Sequence, residues 1–271
     1  MKMKIWENMR TARVAALLLC VTSVLVLVIG NTHTLPPMPR VVSGTSMPIS
    51  TPMPTATALV TASPLPKATP STATYVAIGA SDAFGIGTDD PATQNWPTVL
   101  STKVVVPLHL INLGIPSATT DLAVRDELPI AVTAQPTIVT IWLGVNDFDN
   151  GVSLDDFIAH TRQLLVALHD QTHAAIYVGN LPDLTLLAHF ATRNRAQLEA
   201  QIIQWNSALS MLCIQQGAIV VDIYSRWDTL RTHPEYLGKD GFHPSTEGAK
   251  QLAAIFANAI IASGGVNRGP A

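Results

Sequence analysis

The chain has 271 residues, nearly half of them apolar, with 16 Lys and Arg against 19 Asp and Glu. Six of the basic residues and only one acid lie in the first 74 positions, which leaves ten basic against eighteen acidic residues behind them and argues against nucleic acid as a partner. Of the two cysteines, Cys20 lies in an apolar run and Cys213 in a helical stretch, so neither an intramolecular disulfide nor a thiolate site for zinc is expected, and Cys213 reads as a buried thiol.

At the amino terminus, Lys2, Lys4, Arg10 and Arg13 precede a run of 17 apolar and small residues at 14–30. Segment 1–30 therefore reads as a signal peptide or an N-terminal membrane anchor; a run of this length is near the lower limit for crossing a hydrocarbon core of about 30 Å. No convincing small-x-small cleavage site follows, which favours the uncleaved anchor. The basic flank predicts a cytoplasmic amino terminus and an exported remainder. Cys20 has Leu19 before it, where lipidation would want a small residue. Positions 31–74 are dense in Pro, Thr, Ser and Ala, a composition that cannot bury enough surface to offset its ordering entropy, and predict an extended linker.

From Tyr75 to the end, short apolar runs alternate with amphipathic stretches. The pattern predicts strands over 75–79, 108–112, 137–143, 174–180 and 218–223, and helices over 93–103, 120–134, 154–171, 193–216 and 246–262. Such alternation implies parallel pairing through right-handed crossovers. The near-continuous apolar strands fit a sheet covered on both faces. The expected fold is α/β: one three-layer αβα domain over 75–271, flavodoxin-like, with about five parallel strands.

In sheets of this kind ligands bind beyond the carboxyl ends of the strands. Four stretches of small and polar residues fall there. Ser81 follows the first strand in Gly79-Ala80-Ser81, Asn112-Leu113-Gly114 closes the second, Gly144-Val145-Asn146-Asp147 closes the third, and Asp240-Gly241-Phe242-His243-Pro244 follows the fifth. A serine hydroxyl needs a base to take its proton, and the base needs a third group to hold its tautomer. His243 can be that base and Asp240 its orienting acid, with Gly241 allowing the turn between them. The backbone amides of Ser81 and Gly114 and the side-chain amide of Asn146 are the kinds of donor a tetrahedral oxyanion requires. Ser245 or Thr246, with Glu247 in the first turn, starts the last helix and fixes the exit of the loop.

These four blocks, in this order, resemble those of the SGNH or GDSL-type hydrolases, and the resemblance covers nearly all of the chain from Tyr75. It implies Ser81 as nucleophile, His243 as base, Asp240 as its acid partner, and Ser81, Gly114 and Asn146 as the oxyanion hole. It implies no cofactor and no metal, and an ester as substrate: a small molecule, a lipid or a carbohydrate. The chain departs from the pattern at Ala80, where Asp is usual, at Asp82, where Leu is usual, and at Ser117, where Gly is common. The Gly-x-Ser-x-Gly elbow of α/β-hydrolases is not met, because Ala83 occupies its last position. An exported serine esterase or lipase is the leading expectation. A carbohydrate O-deacetylase of the same family and a non-catalytic binding module are the alternatives.

Other features carry less. His169 and His173 imitate a metalloprotease helix but fall at a helix end, where cations are tolerated. Arg226, Trp227, His233 and Tyr236 are candidates either for a pocket wall or for packing. The stretch 181–194, with Leu184, Leu186, Leu187 and Phe190, is longer than an ordinary connection. It reads as core cover or as a rim over an acyl chain.

Overall fold

Five strands run parallel in the order β2-β1-β3-β4-β5: β1 Ala73–Gly79, β2 Leu108–Asn112, β3 Ile138–Trp142, β4 Ala175–Gly179 and β5 Ile219–Val221. The computed structural model of the chain describes residues 73–104 and 108–265. The anchor expected at 1–30 lies outside the described residues, as does all but the end of the linker expected at 31–74. The end of that stretch, Ala73 and Thr74, already belongs to β1. Among the described residues no helix is long and apolar enough to cross a membrane.

β3 lies in the middle of the sheet and is buried along its whole length, as its apolar run Ile138-Val139-Thr140-Ile141-Trp142 requires. Its one polar side chain, Thr140, is paired with the Tyr75 hydroxyl at 2.8 Å. The helices cover both faces. Trp96 of helix Trp96–Ser101 stacks on Phe256 of helix Thr246–Ala262, with ring centroids 4.6 Å apart. On the other face Phe157 of helix Leu154–Gln171 stacks on Trp205 of helix Arg195–Gln215 at 4.7 Å. Cys213 is buried in this second layer, and burial pushes its thiol up to about 12.

One expected helix is broken and another is locally unwound, each next to a proline. The stretch 93–103 divides into Pro91–Gln94 and Trp96–Ser101, because Pro97 has no N–H for a continuous helix. Asn95 takes an extended conformation between them and caps the second piece by accepting from the Thr98 amide at 2.9 Å. The stretch 120–134 becomes one helical turn, a π turn over Ala123–Glu127 and a helix Leu128–Thr133 carrying Pro129 in its first turn. The remaining three long helices start where a polar cap stands. Ser153, Asn194 and Ser245 each accept from a backbone amide three residues on.

β1 is flanked by β2, reached by one crossover, and by β3, reached by the next, so the strand order reverses there. That switch point sets where a ligand has room, at the carboxyl ends of β1 and β3.

Candidate active site

Ser81 is the first residue of a four-residue helix, Ser81–Phe84, that starts one residue beyond β1. Its amide, like every first-turn amide, has no helical carbonyl before it and is left to point outward. Asn112, at the end of β2, fixes this helix by donating its side-chain amide to the Ala83 carbonyl at 2.7 Å. Gly114 lies beneath it. A Cβ at Gly114 would come within 2.7 Å of the Phe84 nitrogen and 2.8 Å of the Ala83 Cβ, so only glycine permits the approach.

His243 reaches Ser81 from 162 residues away along the chain. Its Nε2 is 2.8 Å from Ser81 Oγ, and its Nδ1 is 2.6 Å from Asp240 Oδ2. The second oxygen of Asp240 accepts from the amides of Phe242 and His243, both at 3.0 Å. Partial burial opposes the Asp240 charge, but the imidazole and the two amides outweigh it and hold the carboxyl below its usual range. With Asp240 ionised, Nδ1 carries the proton and Nε2 is free to accept from the serine hydroxyl.

The loop bearing these two residues closes on itself. The Gly238 amide donates to the His243 carbonyl at 2.7 Å, Leu237 and Pro244 form an isolated antiparallel bridge, and Gly241 sits in the left-handed region at φ 65°. Ser245 then caps the last helix at the Gly248 amide.

Asn146 stands in helix Val145–Asp149 just beyond β3, after Gly144 with φ 103°. Its Nδ2 donates one hydrogen to the Ala118 carbonyl at 2.9 Å, which orients the amide and leaves the second hydrogen uncommitted by that bond. The neighbouring Asp147 is fully buried and ties this helix to the start of the helical stretch that precedes β3, accepting from the Thr120 amide at 3.0 Å and the Thr120 hydroxyl at 2.6 Å. Burial pushes its carboxyl up against these bonds. Gly114 behaves differently from Ser81 and Asn146, because its amide donates to Asn112 Oδ1 at 3.1 Å. Ser117, at φ 65°, takes the left-handed conformation that a glycine adopts freely, and so keeps the turn at some cost in strain.

One cavity of about 50 Å³ opens on Ser81 and His243. Its wall comes from Trp142, Leu143, Pro182, Leu187 and Trp227. Of the four residues ahead of the Asp240 loop that were candidates for a pocket wall, Trp227 is the one that lines it; His233 stacks on Tyr236, with centroids 4.8 Å apart. The stretch 181–194 serves as core cover and rim together. It buries Leu184, Leu187 and Phe190, and Leu187 also faces the cavity. The rim is pinned. Asp149 accepts from Arg193 at 3.1 Å and pairs with His189 at 2.8 Å, while Phe242 packs against His189 with centroids 5.0 Å apart.

Two acids near the nucleophile had no role in the sequence reading. Asp82 lines the cavity and accepts from the Trp96 indole at 2.9 Å; burial raises its carboxyl to about 6, and the indole and His243 oppose the rise. Glu127 accepts from the Gly79 amide at 2.9 Å, two residues before Ser81. Its signal was present in the spacing, since Ala123, Glu127 and Ala131 recur every four residues and all three are buried.

A parallel α/β sheet that presents a hydroxyl, an imidazole and a carboxylate in one hydrogen-bonded row beyond its strands has the arrangement of a hydrolase that works through a serine. The model of the GDSL-like lipase/acylhydrolase family matches residues 77–251, and the chain belongs to that family, whose members hydrolyse ester bonds. The fold is similar to that of a lipase/acylhydrolase from Enterococcus faecalis, at 17% identity over 71% of this chain and 97% of that one, with a TM-score of 0.58. It is also similar to a psychrotrophic esterase from Pseudoalteromonas sp. in a structure inhibited by monoethylphosphonate (16% identity, 72% and 100% covered, TM-score 0.58). A third is a catalytic mutant of an acetylxylan esterase from Geobacillus stearothermophilus (15% identity, 69% and 94% covered, TM-score 0.58). A search of curated proteins found no sequence that matches the chain significantly.

Proposed function

We propose that this hydrolase cleaves carboxylic esters through an acyl-serine intermediate on Ser81. The observation that carries the reading is the row Ser81 Oγ, His243 Nε2, His243 Nδ1, Asp240 Oδ2, with spacings of 2.8 and 2.6 Å. As Ser81 Oγ bonds to the acyl carbon, its proton passes to His243 Nε2 and the carbonyl oxygen becomes an oxyanion. The Ser81 amide and the free hydrogen of Asn146 Nδ2 receive that charge. Gly114 can join them only by exchanging Asn112 Oδ1 for the oxyanion. Collapse breaks the bond to the alcohol, whose oxygen takes the proton from His243. Water then attacks the acyl-serine, giving its proton to His243, and the acid leaves as Ser81 recovers its hydrogen. Asp240, ionised throughout, stabilises the imidazolium in both halves.

The amino-terminal run and the linker behind it support an exported enzyme held at the outer face of a membrane. Protease shaving of intact cells tests this, and protection of the hydrolase region from added protease would refute it. A carbohydrate O-deacetylase is the second reading, supported by the similarity to acetylxylan esterases. The catalytic proposal is tested with Ser81→Ala and a fluorophosphonate probe. The wild type should be labelled on Ser81 and turn over p-nitrophenyl acetate, and the variant should do neither while keeping its melting temperature. Equal turnover by the variant would overturn the assignment.

A further inference from the structure

We propose that Thr120 and Asp147 are positioning residues for the oxyanion, acting through Asn146 and touching no substrate themselves. The proposal rests on the acyl-serine reading above and adds two residues to the machinery of the same site.

Asn146 stabilises an oxyanion only while its carboxamide keeps one orientation. The last torsion of an asparagine has broad minima, and a turn about it carries the free hydrogen away from the acyl carbon. What fixes the orientation is the bond from Nδ2 to the Ala118 carbonyl at 2.9 Å. The donor is therefore placed only as well as that carbonyl is placed. Ala118 belongs to no helix or strand; it lies in the turn between β2 and the helical stretch that starts at Thr120. Ser117, just before it, holds the left-handed conformation at φ 65°, which a residue other than glycine keeps only where its surroundings oppose relaxation.

The turn is anchored at both ends. At its start the Ile115 amide donates to the Gly79 carbonyl at 3.1 Å, at the end of β1. At its far end the Thr120 amide donates to both oxygens of Asp147, at 3.0 and 3.1 Å, and the Thr120 hydroxyl donates to Oδ1 at 2.6 Å. Asn146 and Asp147 are neighbours in one short helix, and Ala118 and Thr120 stand two apart in the turn. The helix thus donates to the turn at Asn146 and accepts from it at Asp147, so each segment holds the other. Thr120 and Asp147 are 1% and 0% exposed, and neither has water to turn to if the pair opens. Neither lines the cavity that opens on Ser81, so their route to the reaction is Asn146. Thr119, between the two turn residues, caps its own helix at the Leu122 amide.

The test is a double-mutant cycle on the full chain, with p-nitrophenyl acetate as substrate, Ser81→Ala as the blank and kcat expressed per folded protein from near-ultraviolet circular dichroism. Thr120→Val removes the hydroxyl bond and keeps the branched shape. It should lower kcat by about 10- to 100-fold, the cost of a donor out of place, with KM changed by less than about twofold. Thr120→Ser restores the hydroxyl and should recover most of kcat. In an Asn146→Ala background, Thr120→Val should lower kcat by less than about twofold, because the group it positions is already gone. Should Thr120→Val fail to fold, Thr120→Ala takes its place in the cycle, and failure of both would assign the bond to the fold and overturn the proposal. An unchanged kcat in Thr120→Val, or an equal loss in both backgrounds, would also overturn it and leave the acyl-serine reading standing. Absence of Ser81-dependent turnover in the wild type would overturn that reading and the proposal with it.

Discussion

Glu127 is a buried acid whose removal should make the protein more stable, and the effect should depend on pH in a defined window. Its side chain has no exposed surface, one oxygen accepts from the Gly79 amide, and the other is buried without a partner. Burial raises its carboxyl from 4.5 to about 8; the Gly79 amide opposes the rise, and the charges of Asp82 and Asp126 add to it. Between these two values the native protein holds a proton that the unfolded chain has lost. The stabilisation is therefore complete below pH 4.5 and is lost as pH rises toward 8, at about 1.4 kcal/mol per unit. Glu127→Gln keeps an acceptor for Gly79 and cannot ionise, so it escapes this loss. At pH 8 it should exceed the wild type by about 3–5 kcal/mol, which for a domain of this size is a melting temperature higher by on the order of 10 °C. Asp82 and Asp147 are also raised by burial, but they titrate in both proteins and drop out of the difference. Thermal unfolding of the two full chains from pH 5 to pH 8.5 gives the comparison. The curves should meet near pH 5 and diverge upward. Parallel curves would refute the reasoning, because they would mean that Glu127 ionises in the folded protein as it does in the unfolded one.

The remaining predictions concern the reacting groups. Asp240→Asn should leave the fold intact and lower kcat by about 10³- to 10⁴-fold, since the asparagine no longer holds Nδ1 as the protonated nitrogen; steady-state kinetics with a circular-dichroism control decides it. Asn146→Ala should lower kcat by about 10²- to 10³-fold with KM little changed, as the loss of a donor used mainly in the transition state requires. A Cβ at Gly87, where φ is 97°, would lie 2.5 Å from the Pro244 carbonyl oxygen and 2.8 Å from the His243 Cβ. Gly87→Ala should therefore displace the imidazole and cost about 10²-fold in kcat, and an unchanged kcat would show that the loop accommodates the methyl group without moving His243.

What could be read from the sequence depended on how local its cause was. Ile138-Val139-Thr140-Ile141-Trp142 announced a central strand because burial on both faces needs apolar residues at every position. The five strands and the parallel three-layer fold followed from such runs. The same periodicity concealed the break before Pro97 and the π turn before Pro129, where one missing N–H disturbs an otherwise helical pattern. Ser81, Asp240 and His243 stood out because each lies among small residues beyond a strand end, where such sheets bind ligands, and because the three-residue spacing of Asp240 and His243 needs only a turn for those two to meet. Gly114 shows where this reasoning stops. A glycine beside a nucleophile suggests a free amide, but the bond from that amide to Asn112 Oδ1 depends on a side-chain rotamer that no pattern records. The cavity wall was less legible still. Trp142, Leu187 and Trp227 come from three separate stretches, and only the packing of the finished sheet brings them together.

The reacting groups arrive on separate short segments, and each is held by a bond to a neighbouring segment. Asn112 holds the Ser81 helix, the Ala118 carbonyl holds Asn146, Thr120 holds the helix of Asn146 through Asp147, and the amides of Phe242 and His243 hold Asp240. The base is the exception in one respect. Its loop is exposed at Asp240 and closes mainly through its own backbone bonds, such as that between Gly238 and His243. Local opening of this loop costs less than global unfolding, because few apolar contacts are lost with it. Heating should accordingly abolish turnover a few degrees below the melting temperature of the sheet, and the first amides to exchange should be those of residues 238–243. If activity and the tryptophan fluorescence of the core are lost together, the loop is as firmly held as the strands that carry Ser81 and Asn146.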